Sequence, residues 1–462
     1  MLDKKVANSV IQAALECGAS FCDVFVERTT TQTLGYRSQS IKDIKSGIDF
    51  GIGVRLIFGE KALYAYTNSK NENDLVNMTR NLAGHYKKDQ ITKSNTFDFT
   101  KETPYKTVAA VNSDKEVSLD HKISVMKKLD ELTRAESKKI SQVNIGLWEF
   151  EQNIEIFDSE GLYATEKRPY IRLTSTAIAS DGSNQATGSF HPGARGGWEF
   201  VEGVNLEKLA VEISKQSLTV LDADPCPAGN MPVVIDNGFG GVIFHEACGH
   251  LLETTSVEKK ASVMWDKKGE QVAHEALSAV DDGTIDGEWG SLSIDDEGMP
   301  TQRTQLIKDG KLENFMCDRL GEIKTGHPRT GSGRRQSYKF APASRMRNTF
   351  IEPGKFSLEE LLTSMGDGLY AKKMGGGSVN PGTGEFNFSV QEGYLVKSGK
   401  IEKAIKGATL IGKGEDVLKR ISMVGNNFEM STGMCGSVSG SIPANVGQPA
   451  IKVDEILVGG QA

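Results

Sequence analysis

The chain has 462 residues, enough for two or three domains with sizeable cores. Its net charge of −7 and pI near 5.7 argue against a nucleic-acid surface, because phosphate binding needs a concentrated basic face. Mean hydropathy is −0.34, and no apolar run approaches the roughly 20 residues needed to cross a bilayer, so a cytoplasmic protein without membrane contact is expected. Cys17, Cys22, Cys226, Cys248, Cys317 and Cys435 form no CxxC pair and no regular framework, which fits a reducing compartment with free thiols.

In chain order, Val6 and Val10 lie four apart among polar residues, so the N-terminus reads as an amphipathic helix and not as a signal segment. Asp23 to Glu27 is a short strand, and 51–57 with 62–66 forms a hairpin around Phe58-Gly59-Glu60-Lys61. Leu119, Ile123, Met126, Leu129 and Leu132 repeat at helical steps, as do Leu206, Leu209 and Ile213. Ile154-Glu155-Ile156 and Tyr170-Ile171-Arg172-Leu173 are strand-like, so the first half is expected to be mixed α+β. Three prolines, a glycine and two aspartates crowd Leu221 to Pro232, which sets the expected boundary between an α+β domain at 1–225 and a β-rich domain at 226–462.

Past that boundary, Val233 to Asp236 is a strand, and Gly238 to Gly241 leads into a helix carrying F-H-E-A-C-G-H-L. His245, Glu246 and His250 resemble the HExxH pattern that holds zinc for hydrolysis, but the second imidazole comes five residues after the first instead of four. At about 100° per residue, five steps turn it roughly 140° away. A single π-type turn would bring His250 back under His245, and Gly249, lacking a Cβ, suits that distortion. The alternative is a regular helix whose histidines point apart. From about Gly283 onward glycine is frequent and apolar runs are short, so the second half is expected to be mostly β around one catalytic helix. The basic residues Arg329, Arg334, Arg335 and Lys339 read as a solvated loop, or as a holder for a peptide carboxylate.

A catalytic zinc usually takes three protein ligands, so a third donor is needed. Cys248 lies inside the motif but reads as a small hydrophobe. Glu253 is a ligand candidate or a carboxylate supporting an imidazole N–H. His274 and His327 read as structural or solvated. Cys435 sits in a glycine-rich segment whose backbone can come close to an ion.

Four blocks, Phe244 to Glu253, Val379 to Phe388, Lys406 to Gly414, and Cys435 through Gly447 to Asp454, together resemble the TldD/PmbA family of zinc metallopeptidases, once described as modulators of DNA gyrase. The likeness spans nearly the whole chain. It implies that His245 and His250 bind zinc, that Glu246 is the catalytic glutamate and that Cys435 is the third ligand. Because the partner subunit of the family's usual pair lacks the motif, this chain resembles the active, TldD-type subunit. The resemblance further implies cleavage of small or unfolded peptides, in a site enclosed by a homodimer or by a heterodimer with a PmbA-like inactive subunit.

On this reading Glu246 deprotonates a water activated by the ion and returns the proton to the leaving nitrogen. Substrate is expected along an exposed strand edge, at Gly375 to Gly377 or near Cys435. Gly407 to Lys413 fits the start of a phosphate loop, yet Gly414 stands where Ser or Thr must meet Mg²⁺, and Ala-Thr-Leu-Ile reads as a strand. The remaining alternative is a non-catalytic regulatory binder of a toxin-antitoxin or gyrase system.

Overall fold

The computed structural model describes residues 1–86, 96–112, 116–380 and 382–460. Helix α1 (Lys4–Glu16) begins where the Asp3 side chain accepts the Lys5 N–H, and it buries Ala7, Val10, Ile11 and Ala14. Strands β1 (Phe21–Arg37), β2 (Ser40–Phe58) and β3 (Lys61–Thr67) follow, then α2 (Glu72–Ala83) and α3 (Leu119–Ala135). Next come β4 (Ile140–Asp158), β5 (Tyr163–Ser180), β6 (Gln185–Phe190) and α4 (Leu206–Leu221). The strands form one antiparallel sheet in the order β3-β2-β1-β4-β5-β6.

The expected short strand at Asp23 to Glu27 is the start of β1, which is 17 residues long. Its second half, Thr29-Thr30-Thr31-Gln32-Thr33, carries strand-favouring β-branched residues without apolar alternation, so periodicity alone does not reveal it. Alternation along β1 sorts its two faces. Val24, Val26 and Leu34 pack under the helices, while Phe25 joins Ile154, Ile156 and Ala164 against Ile294 and Tyr338 of the second half.

The second half holds β7 (Gly229–Ile235), α5 (Val242–Ala247), β8 (Ala279–Asp282), β9 (Arg303–Lys308), β10 (Lys311–Leu312) and β11 (Asn348–Ile351). Then come β12 (Gly368–Val379), β13 (Glu385–Lys397), β14 (Lys400–Lys406), β15 (Thr409–Lys413) and α6 (Gly414–Lys419). The chain closes with β16 (Glu429–Ser437), β17 (Gly440–Gln448) and β18 (Ile451–Gly459). Pairing runs β12-β7-β18-β15-β13 and returns to β12, so five strands close into a barrel. A second sheet has the order β10-β9-β8-β11-β17-β16, leaving β16 with one unpaired edge. Pro232, inside the proline-rich segment, falls within β7 where the β7–β18 register shifts, a place that does not require its missing N–H. No helix among the described residues is long and apolar enough to cross a membrane.

Helix α5 packs against β11, β12, β13 and β17, between the barrel and the second sheet. Val242, Ile243, Phe244 and Ala247 are buried in one cluster with Val233, Ala371, Ile442 and Ala444. A helix so apolar belongs in a core, and that burial holds the motif in place.

Buried ion pairs join the halves. Arg55 reaches both Asp23 and, at 2.6 Å, Glu297. Arg168 pairs with Glu166 at 2.7 Å and Asp296 at 2.5 Å, and Arg195 meets Glu166 at 2.6 Å. The expected solvated basic loop is partly wrong for this reason. Arg334 and Arg335 are 3% exposed; Arg335 bonds Asp296 and lies 4.2 Å from the Phe25 ring centre, while Arg334 donates to the Met346 carbonyl. Arg329 and Lys339 remain nearer the surface, paired with Glu322 and Asp49.

Candidate metal centre

The five-residue spacing between the histidines is resolved by breaking the helix, not by a π-turn. The Cys248 N–H closes the last α5 turn on the Phe244 carbonyl at 2.9 Å, and Cys248 then leaves helical geometry at φ −136°, ψ −49°. A 3₁₀ turn over Gly249–Leu252 restarts the coil in a new direction. Gly249 packs closely against Met346: a Cβ there would stand 2.3 Å from its sulfur, so the methionine side chain would have to move. Gly414, which spoiled the phosphate-loop reading, has a comparable role, since its Cβ would fall 2.0 Å from the Ala247 carbonyl at the end of α5.

This break aims both imidazoles at one sulfur. His245 Nε2 lies 3.3 Å and His250 Nε2 3.5 Å from Cys435 Sγ, and one donor atom from each residue lies within 4.8 Å of the others. Tetrahedral zinc with about 2.3 Å to sulfur and 2.0–2.1 Å to nitrogen requires S···N edges of about 3.6 Å. The three donors fit such an ion, and a thiolate with two imidazoles suits zinc in chemistry as well. Glu246 Oε2 stands 3.8 Å from His250 Nε2, so a carboxylate borders the cluster.

Supporting groups fix the donors. Glu253 Oε2 is 3.0 Å from His250 Nδ1, which leaves Nε2 for the cluster. Fully buried Arg345 donates to the Cys435 carbonyl at 2.5 Å, and to Ser439 Oγ and the Gly440 carbonyl at 2.9 Å each, gripping the hairpin that carries the thiol. Its Nε is 3.8 Å from Glu253 Oε1, so one guanidinium borders the supports of two donors. Arg345 has no sequence signal of its own; it lies in a stretch without periodicity.

Burial pushes the Cys435 thiol up, but His245 and His250 outweigh it and hold the group well below the usual thiol range. Burial would lower His250, yet Glu253 above all raises it well past the ordinary imidazole value. Burial raises Glu246, partly offset by the two histidines. A cation that takes these donors needs them deprotonated, so its binding would release protons.

The other candidates lie apart from this cluster. Cys248 is fully buried among apolar residues, and burial pushes its thiol far up. His274 Nδ1 accepts the Ala276 N–H, and the His327 ring lies 4.8 Å from that of Phe315.

A barrel and a second sheet that bring two imidazoles from one broken helix and a thiol from β16 beside a carboxylate form the kind of scaffold a metal-dependent hydrolase uses. Comparison with known proteins is specific. The PmbA/TldA metallopeptidase C-terminal domain matches residues 228–460, the central domain 112–221 and domain 1 residues 22–83. The metalloprotease TldD homolog of Haemophilus influenzae is 37% identical over 95% of this chain and 93% of its own length. A zinc metalloprotease TldD homolog of Saccharolobus solfataricus is 27% identical over 97% of this chain and 99% of its own. Among solved structures, TldE from Thermococcus kodakarensis shares the fold with a TM-score of 0.78 at 18% identity, over 98% of this chain and 100% of its own. The chain belongs to the PmbA/TldA metallopeptidase family.

Proposed function

We propose that this chain is a zinc-dependent peptidase acting on unfolded peptides, with His245, His250 and Cys435 as ligands and Glu246 as general base. The observation that carries the reading is the meeting of three donors within 4.8 Å, from two sites five apart and a third 185 residues further on. When bound, zinc would supply a Lewis acid that polarises a carbonyl and lowers the pKa of water towards about 7. The thiolate ligand donates more charge than an imidazole would, so proton removal by Glu246 carries more of the work than at an all-histidine site. Glu246 takes the proton of the attacking water and hands it to the departing amide nitrogen. Its burial, which raises its proton affinity, suits both halves of that task.

We place substrate extended in a cleft of about 590 Å³ between Lys373 to Gly376 of β12 and Glu429 to Met434 of β16; His245, Glu246, His250 and Cys435 do not line it, and it approaches them through Met434, the chain neighbour of Cys435. Met434 faces Pro443, which has no N–H, so it is a non-hydrogen-bonded position of the β16–β17 ladder. Its own N–H and C=O, like those of Gly436, point to the unpaired edge beside Cys435, where a peptide strand can add. Of the glycines in β12, Gly376 has open space at its Cβ, whereas Gly375 and Gly377 crowd Ser389 and Phe388. Gly376→Val is therefore the clean test of that wall: it should slow peptide cleavage without releasing metal, and unchanged turnover removes the segment from the site.

The fold likeness to TldE makes a TldE-like chain the partner to test beside self-association. Glu246→Gln distinguishes a peptidase from a non-catalytic regulatory binder. We expect turnover to fall by about 10²- to 10⁴-fold while zinc content is kept. An unstructured peptide incubated with and without a chelator, its fragments read by mass spectrometry, decides the activity; no fragments with zinc and any needed partner present favours the binder.

A further inference from the structure

We propose that Arg172 is a specificity-determining residue, which receives a substrate carboxylate two or three residues from the scissile bond. This rests on the peptidase reading above. Arg172, on β5, is half-buried in the wall of the same cleft. Its Nη2 donates to the Thr432 carbonyl at 3.0 Å and its Nε to the His191 carbonyl at 3.3 Å, while its guanidinium lies 5.6 Å from the Trp289 ring centre. Thr432 has the same parity on β16 as Met434 and Gly436, so its carbonyl also points to the unpaired edge. Arg172 thus occupies the next pairing position and stops a strand that adds beside Cys435.

This guanidinium, like that of fully enclosed Arg334, has no ion-paired carboxylate, but unlike Arg334 it lines the cleft. Arg55, Arg168, Arg195, Arg319 and Arg347 are each paired with carboxylates. Among the described residues no carboxylate lies within ion-pair distance of Arg172, and its Nη1 has no hydrogen-bond partner. Burial accordingly pulls its pKa below the usual guanidinium range, with no acidic group to offset it. Glu288, which also lines the cleft, is engaged by Asn445 Nδ2 at 2.6 Å. A half-buried cation with a spare donor, lining this cleft, is complementary to a carboxylate. Thr432 precedes Cys435 by three residues, about 10 Å in an extended strand, which sets the distance to the cleaved bond. The carboxylate is either the peptide's C-terminus, giving release of di- or tripeptides from that end, or an Asp or Glu side chain at the same distance.

Three peptides separate these cases: a heptapeptide without acidic side chains as the free acid, the same peptide as its C-terminal amide, and the amide with one Asp third from its end. Each is titrated into the zinc-loaded Glu246→Gln protein in the assembly in which it purifies, so that affinity is read without cleavage. The free acid should bind about tenfold to a hundredfold more tightly than the plain amide. Recovery of affinity by the Asp-containing amide would show that a side chain serves as well. Added Arg172→Gln should make acid and amide equal, and Arg172→Lys should keep part of the preference. Equal affinities in the Glu246→Gln protein, discrimination that survives Arg172→Gln, or no binding of any peptide would overturn the assignment. Turnover by the unsubstituted protein is read separately. Preferential acid binding without cleavage sinks the peptidase reading and leaves the carboxylate site; cleavage of all three with equal affinities does the reverse.

Discussion

The molecule contains two buried collections of polar side chains, and they solve opposite problems. Between the halves, Arg55, Arg168 and Arg195 meet Asp23, Glu166, Asp296 and Glu297, so each positive charge lies against a negative one. At the end of α5, His245, His250 and Cys435 turn electron-donating atoms towards a common point, bordered by Glu246 and Glu253. The first is satisfied by its own members and serves the fold. The second is an arrangement of donors that a cation would complete. Burial and polarity alone do not separate a structural cluster from a functional one; the sign of what remains unbalanced does.

The strongest way to break the comparison is to remove a donor from the second collection. Cys435→Ala should lose zinc on dialysis and with it peptide cleavage, while the melting profile of the N-terminal sheet is retained; metal analysis beside a cleavage assay checks this. In the first collection, Arg168→Ala strands Asp296, leaves Glu166 with Arg195 alone, and should cost about 3–5 kcal/mol of stability in denaturant unfolding, with zinc still bound to the folded fraction. A smaller change separates support from ligation. Glu253→Gln weakens the hold on His250, and zinc affinity should fall by about 10- to 100-fold in a competition titration with a chromophoric chelator.

The mildest test is pH. Burial would raise Glu166, but Arg168 and Arg195 hold its carboxyl below the ordinary value of 4.5. A carboxylate with a depressed folded pKa contributes stability that is fully present above its unfolded pKa and is lost as pH falls through its folded one. Unfolding midpoints should thus be insensitive to this group above about pH 5 and decline below 4.5. Glu166→Gln should flatten that acid limb, measured by chemical denaturation across pH. An unchanged limb would mean that the latch is not what acid releases.

Much of the scaffold was legible because periodicity reports burial. The β2–β3 hairpin, α3 and α4 follow from apolar spacing. The threonine-rich second half of β1 was not, since strand propensity without alternation leaves no period to read. At the site, the five-residue interval showed that a regular helix would fail but left its remedy open, and the break at Cys248 followed by a 3₁₀ turn was one of several that the spacing allowed. Cys435 could be singled out by likeness to a family, whereas nothing in its local sequence ties it to a histidine 190 positions earlier. Arg334 and Arg335 misled for the converse reason: charge predicts exposure until a partner such as Asp296 is supplied by the fold.

Cys435 follows His250 by 185 positions, a separation that would order events during synthesis. A ribosome-bound chain that has passed His250 would offer an ion two imidazoles without Cys435, and that proposed third donor would arrive only when the β16–β17 hairpin has emerged and zipped. On the proposed reading, loading with metal would be a late step, and an unfinished chain would lack its cutting edge.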